Sequence, residues 1–285
     1  MTAAVISRPE SDAAPRTVPL IRLLGAEVRW VLRRPRTLVM LGVFALVPVL
    51  ISIGVAVADA GPGPGLIGAV AGNGFMLPIV AITVSLSLLL PLAVAMAAAD
   101  AIAGEAAHGT LRGLLLAPVG RLRLVGMKAF GVLVVAVLAV LALAVMGVLA
   151  GVVVVGRAEG QLVTLSGTAL GPGDAFARVS LVVAWTIVQL AAVGAVALAV
   201  SALTEHPSVV VTSVLGGLIL FGVLTAIPAL EWLQPYLLTS GWTAAVDALR
   251  DPMPLGEMVQ STVRALCYLA LGAGLTVYRM LRRDF

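Results

Sequence analysis

Six apolar runs, at roughly 38–58, 75–99, 129–155, 179–203, 208–230 and 259–279, leave this chain few ways to fold. Each is about as long as the 20 residues a helix needs to cross a bilayer. Backbone placed in hydrocarbon must satisfy its own N–H and C=O groups, and an isolated run does so as a helix. Composition closes off the soluble alternative: 61% of residues are hydrophobic and 11% charged, against about 45–50% and about 25% in soluble domains. The expected fold is therefore all-α and polytopic. Six transmembrane helices form one domain over residues 20–285, behind a disordered, proline-bearing tail at 1–19. That tail lacks the pattern of a secretory signal peptide, because the first apolar run starts late and has no small-residue cleavage site.

The charges orient these spans. The net charge of +4 would suit a nucleic-acid binder, but the arginines lie beside spans and form no soluble basic surface. The bias of Lys and Arg toward the inner face accounts for them better. Arg8, Arg16, Arg22, Arg29, Arg33, Arg34 and Arg36 precede the first run. Arg112, Arg121, Arg123 and Lys128 lie between the second and third, and Arg279, Arg282 and Arg283 follow the last. The opposite side receives only Arg157, Arg178, Arg250 and Arg264. Both termini and the 100–128 stretch are expected in the cytoplasm, with no nucleic acid as partner. The lone Cys267 lies in the sixth run and reads as a buried thiol. One lysine among 18 basic residues, with abundant Ala, Val and Gly, suggests a high-GC genome.

Residues 20–34 form an amphipathic pattern, with Arg22, Arg29, Arg33 and Arg36 on one face and Leu20, Leu24 and Val31 opposite. Such a helix lies in the membrane interface, with Trp30 near the headgroups, until Pro35 turns the chain into the first span. Pro48 kinks that span, and Pro78 with Pro91 bends the second. Gly61–Gly65 is a turn-rich external loop, and 156–178 is another. Gly147 and Gly151 offer a close-packing pair in the third span, and Ala191, Ala195 and Ala199 a small-residue face in the fourth. The short inside turn at 204–207 puts Pro207 in the first turn of span five. Residues 231–258 make the longest external segment. Its Trp232, Tyr236 and Trp242 fit an interfacial belt, and 242–249 a short helix dipping into the outer leaflet.

Catalytic chemistry is sparse. The chain has no Gly-x-x-x-x-Gly-Lys-Ser/Thr loop, no His-Glu-x-x-His helix and no Gly-x-Ser-x-Gly elbow. Gly171-Pro172-Gly173-Asp174 has the form of an intramembrane aspartyl protease motif. Such a site needs a second carboxyl beside it, and a turn before span four is the better reading. His108 and His206 stand apart as loop residues, and Gln189 is the main polar side chain deep in a span, read as an interhelical hydrogen-bonder. Ion-coupled transporters keep ionisable groups inside the membrane. Here Arg264 alone comes close, near the outer end of the last span. A transporter built this way takes its driving force from outside the bilayer.

The 100–128 stretch is the natural place to receive it. Thr110 is a good N-cap, 111–117 can form two turns of helix, and Pro118 disfavours helix before it. Leu111, Leu114 and Leu115 then share one side, as in a docking element for another protein. Glu105, Gly109-Thr110-Leu111, Leu114-Leu115, Pro118, Arg121 and Lys128 resemble the signature of ABC-2-type permeases, the membrane subunits of type V ABC exporters. The likeness extends to the arginine-rich helix before span one, the six-span layout and the Arg282-Arg283-Asp284 tail. It departs at 106–108, Ala-Ala-His, where charged residues are common in that family.

The resemblance implies a permease without catalytic residues, in a bacterial plasma membrane, that pairs with a second copy or a paralogue. Each copy would bind a separate ABC ATPase subunit that holds ATP and Mg; this chain would carry no cofactor or metal. The 105–118 region would be the coupling helix, with Glu105, Gly109, Thr110, Leu111, Leu114, Leu115, Pro118 and Arg121 as its contacts. Residues 20–34 would be an elbow helix making the second contact, with Arg22, Glu27, Arg29 and Arg33. Trp232, Tyr236 and Trp242 would line or gate the exit. The implied function is export of a hydrophobic drug, antibiotic or lipid. The alternatives are a polysaccharide or glycolipid exporter of the same architecture, and a mechanotransmitter that moves nothing across.

Overall fold

The computed structural model describes residues 20–57, 68, 70–71, 73–107, 121–155 and 162–282. Apolar runs become helices as expected: α1 (Leu20–Arg33), α2 (Pro35–Val57), α3 (Leu77–Leu86, led in by a 3-10 turn at Gly74–Met76), α4 (Leu89–Ala101), α5 (Ala103–Ala107), α6 (Arg121–Ala150, ending in a π-turn at Gly151–Val155), α7 (Pro172–Leu203), α8 (Pro207–Thr225) and α9 (Gly256–Arg282). Six helical stretches among the described residues are long and apolar enough to cross a membrane. The only sheet among them is a two-stranded hairpin, β1 (Leu162–Val163) with antiparallel β2 (Ala169–Leu170).

The second apolar run is not one helix over 75–99. It breaks at Ser87–Leu88, where Leu88 leaves helical geometry at φ −149, ψ −50. The cause is Pro91, which has no N–H to give the Ser87 carbonyl four residues earlier. The fifth run likewise ends at Thr225 rather than 230. Pro228 disfavours helix at the residue before it, and Ile227 is extended at φ −96, ψ 109. Two 3-10 helices follow, Pro228–Tyr236 and Trp242–Leu249. Gly241 caps the second at φ 86, a left-handed conformation that glycine adopts without steric cost.

Helix α7 is the centre of the bundle, packed on α9, α4, α6 and α8. Small residues permit the closest approaches. A Cβ added at Gly151 would lie 2.1 Å from the Gly74 carbonyl oxygen, and one at Gly147 would lie 2.6 Å from Pro78 Cα. The Gly147–Gly151 pair therefore seats α6 against the start of α3, as the spacing predicts. A Cβ at Gly272 would meet the Ala195 backbone at 2.6 Å, which joins α9 to the alanine face of α7. By contrast, α2 and α8 present Leu38, Val39, Leu46, Ile219 and Val223 outward.

Candidate functional site

The ends of α1, α4, α5 and α6 meet at the pole of the bundle that also carries the α1–α2 junction. Pro35 starts a new helix after Arg34, so two consecutive elements leave Arg34 and Arg36 at that corner. Asp100, at the end of α4, accepts from Arg34 at 3.4 Å and from Arg36 at 3.0 Å. Beyond it Glu105, in the single turn and a half of α5, pairs with Lys128 of α6 at 2.5 Å. These two side chains are 14% and 8% exposed, so this ion pair is largely out of water. A buried pair of this kind is specific in geometry and costly to leave half-made.

Glu27 of α1 completes the group. It lies one turn before the buried Val31, on the inward side of the helix, and its carboxylate packs against Gly131 of α6. A small cavity of about 50 Å³ is lined by Glu27, Arg34, Arg36, Thr37, Asp100 and Lys128 together with apolar residues of α2, α4 and α6. Burial pushes the Glu27 carboxyl above its ordinary pKa; Lys128 opposes this, Glu105 adds to it, and Arg34 opposes it. Burial likewise lowers the Arg34 guanidinium's pKa, against the pull of Asp100.

Of the residues expected in the coupling helix, Glu105 alone is fully described, and it is turned into the bundle by Lys128. Gly109, Thr110, Leu111, Leu114, Leu115 and Pro118 lie outside the described residues, as do the side chains of Arg22, Trp30 and Arg121. Arg29 and Arg33 are exposed on the outer face of α1, as the amphipathic pattern requires. Sequence reasoning did not anticipate the link from Asp100 to Arg34 and Arg36, nor the inward turn of Glu27. A signal for the second was present: Glu27 falls on the same helical face as Leu24 and Val31, and an acid on an apolar face calls for a partner.

At the opposite pole Trp232 and Tyr236 are 68% and 67% exposed, while Trp242 is 8% exposed and packs into the core. The 242–249 helix is thus covered by protein: it rests on α3, α7 and α9. Two arginines hold this irregular backbone. Arg178 of α7 donates to the carbonyls of Ala248 (2.9 Å) and Arg250 (2.5 Å) and to Asp251 (3.2 Å). Arg264 of α9 donates to the carbonyls of Leu237 (2.9 Å) and Ser240. Gly171 and Pro172 start α7 with Asp174 in its first turn, so the Gly-x-Gly-Asp stretch is a helix start. Gln189 is fully buried, yet its amide has no hydrogen-bond partner among the described residues. Nor do those residues include a cluster of His, Cys, Asp and Glu fit to hold a metal ion.

A six-helix membrane bundle with one polar pole is consistent with the ABC-2 resemblance, and family comparison bears it out. Residues 23–216 match the model of the ABC-2 family transporter proteins. The chain belongs to that family, a group of multi-pass membrane proteins of ABC transporters whose ATP-binding subunit is a partner. Comparison with curated proteins finds no match.

Proposed function

We propose that the chain is the permease subunit of an ATP-driven exporter, a single 20–285 domain that moves a hydrophobic drug, antibiotic or lipid out of a bacterial cytoplasm. Both termini and the 100–128 stretch face the cytoplasm in this reading. ATP and Mg are held by the partner ATPase, and the permease works as a dimer with a second copy or paralogue. The outward apolar faces of α2 and α8 supply surface for that pairing.

The observation that carries the proposal is how the ends of the 108–120 segment are anchored. Glu105 lies just before it and Lys128 just after it, and the two are ion-paired. Asp100, one turn earlier, is tied to Arg34 and Arg36. A push on the segment therefore reaches α4, α6 and the α1–α2 corner together, as a lever requires. Thr110, Leu111, Leu114 and Leu115 would seat in the ATPase, with Gly109, Pro118 and Arg121 shaping the helix ends and Arg22, Glu27, Arg29 and Arg33 setting α1 beside it. Trp232, Tyr236 and Trp242 would border the exit.

The test is a mild-detergent pull-down of the tagged chain with mass spectrometry, followed by ATPase and transport assays on the complex. A soluble P-loop ATPase should co-purify in about equal amount. Thr110→Pro and Leu114→Asp should keep the chain inserted while uncoupling ATP turnover from transport. Normal transport by both variants would sink the coupling assignment. ATP turnover with no substrate moved in liposomes would favour the mechanotransmitter reading.

A further inference from the structure

We propose that a groove between α6, α7 and α9 is a binding site for one anionic phospholipid of the cytoplasmic leaflet, with an acyl chain in the groove and the headgroup on an arginine rim. The leaflet assignment rests on the orientation proposed above; the site itself does not. The groove measures about 350 Å³, over twice the roughly 150 Å³ of an apolar cavity that accepts benzene. Its walls are Ala129, Phe130 and Leu133 of α6, Ala191 and Gly194 of α7, and Ala273 of α9, with further apolar residues of the same helices. Ala129, Leu133 and Ala273 are exposed, so the groove opens sideways toward where lipid lies.

The lining excludes most ligands other than hydrocarbon. Among the described residues no charged side chain contributes to it, and their one hydroxyl there, Thr276, donates to the Gly272 carbonyl at 2.8 Å. A sugar or a drug cation would find no hydrogen-bond partner there, whereas an acyl chain requires none. The groove is also in register with one leaflet. It is lined by the halves of all three helices nearest the basic pole, and at that pole α9 continues from Thr276 to the exposed Arg279 and Arg282. On α6, Arg123 lies two turns below Phe130 on the same line of the helix. Among the described residues the α7–α8 turn brings one acid, Glu205, and Lys128 is paired with Glu105. Cationic groups in excess at headgroup depth favour a phosphodiester carrying net negative charge over a zwitterion.

The site adjoins the lever. Val125 lines both this groove and the smaller pocket formed by Glu105, Lys128, Leu124 and Met280. A chain in the groove therefore braces α6 one turn from the ion pair that anchors the 108–120 segment.

The full-length permease, purified alone in detergent, can be offered phosphatidylglycerol and phosphatidylcholine with identical acyl chains and read by native mass spectrometry. We expect one phosphatidylglycerol per chain, retained about tenfold over phosphatidylcholine, the effect of one or two interfacial cations. Ala273→Phe and, separately, Ala129→Phe should reduce retention of both lipids. Arg279→Gln with Arg282→Gln should remove the preference while leaving chain binding intact. Equal retention of the two lipids, unaltered by either phenylalanine in a protein of unchanged melting point, would mean annular lipid only and overturn the proposal. Phenylalanines that dissociate a dimer without changing bound lipid would overturn it too, by giving the groove to a second copy. No ATPase is needed here, and labelling of Leu281→Cys in a Cys267→Ala background from either side reads orientation separately, so failure of the exporter reading would be distinguishable.

Discussion

The two poles of the bundle hold their arginines in different ways. At the basic pole, cations face carboxylates from other helices: Arg34 and Arg36 on Asp100, Lys128 on Glu105. At the opposite pole, Arg178 and Arg264 grip backbone carbonyls, and among the described residues Asp251 is the one acid they pair with. Carbonyl gripping suits a segment whose 3-10 turns leave acceptors without regular partners, and it fixes that segment in place. Ion pairs between helix ends can be broken and remade as whole units, which suits joints that move. One pole is built as a clamp on irregular backbone and the other as a set of hinged charges.

The sharpest way to break this contrast is Lys128→Met. It removes the cation paired with the Glu105 carboxylate, 14% exposed, in a largely dry site, and removal of one partner from a buried pair costs about 3–5 kcal/mol. The apparent melting point in detergent should fall accordingly. Lys128→Met combined with Glu105→Gln should recover much of the loss, because no unpaired charge remains. If the double variant is as unstable as the single one, the pair is not the unit at this pole.

Next in size is Arg178→Gln. It withdraws donors from two carbonyls and from Asp251, and unmade hydrogen bonds of partly buried groups cost about 1–3 kcal/mol. The loss should appear as faster proteolysis within the 228–255 segment, with the 108–120 segment unaffected. Arg178→Lys should rescue it poorly, since an ammonium lacks the planar fork that serves two carbonyls at once. Equal proteolysis at both poles would erase the distinction between clamp and hinge.

What could be read from the chain follows the range of the forces involved. Spans depend on local composition, and five of the six apolar runs yield single membrane-length helices, while the second is broken at Ser87–Leu88. Gly147, Gly151 and Ala195 also announce close packing, because small residues at four-residue steps permit little else. Pro91 is legible as a bend in the second span, whereas Pro228 ends the fifth helix at a place the apolar run conceals, since a hydropathy run does not register a missing N–H. The pairing of Asp100 with Arg34 and Arg36 joins residues more than 60 positions apart, and no periodicity encodes it. The carbonyls gripped by Arg178 and Arg264 are hidden for a further reason: every residue has one, and only the path of the backbone selects which are left over. Leu111, Leu114 and Leu115 share a helical face in the sequence, and the proposed docking there is what the pull-down tests.

The smallest expected effect separates the poles by pH. Burial raises the Glu27 pKa above its ordinary value of 4.5. Below that ordinary value the group is protonated in folded and unfolded chains alike and contributes nothing. As pH rises through it, the unfolded chain ionises first while folded Glu27 keeps its proton, so stability falls until the folded carboxyl ionises as well. Glu27→Gln removes this penalty. Its melting point should match the parent at about pH 4 and exceed it near neutrality, by under ~1 kcal/mol for a half-buried group. Arg178→Gln should show no comparable dependence over the same window, because the carbonyls it abandons do not titrate. A Glu27→Gln variant less stable than the parent near neutrality would mean that Lys128 and Arg34 outweigh burial, making Glu27 a working member of the ion-pair network rather than a charge held there at a cost.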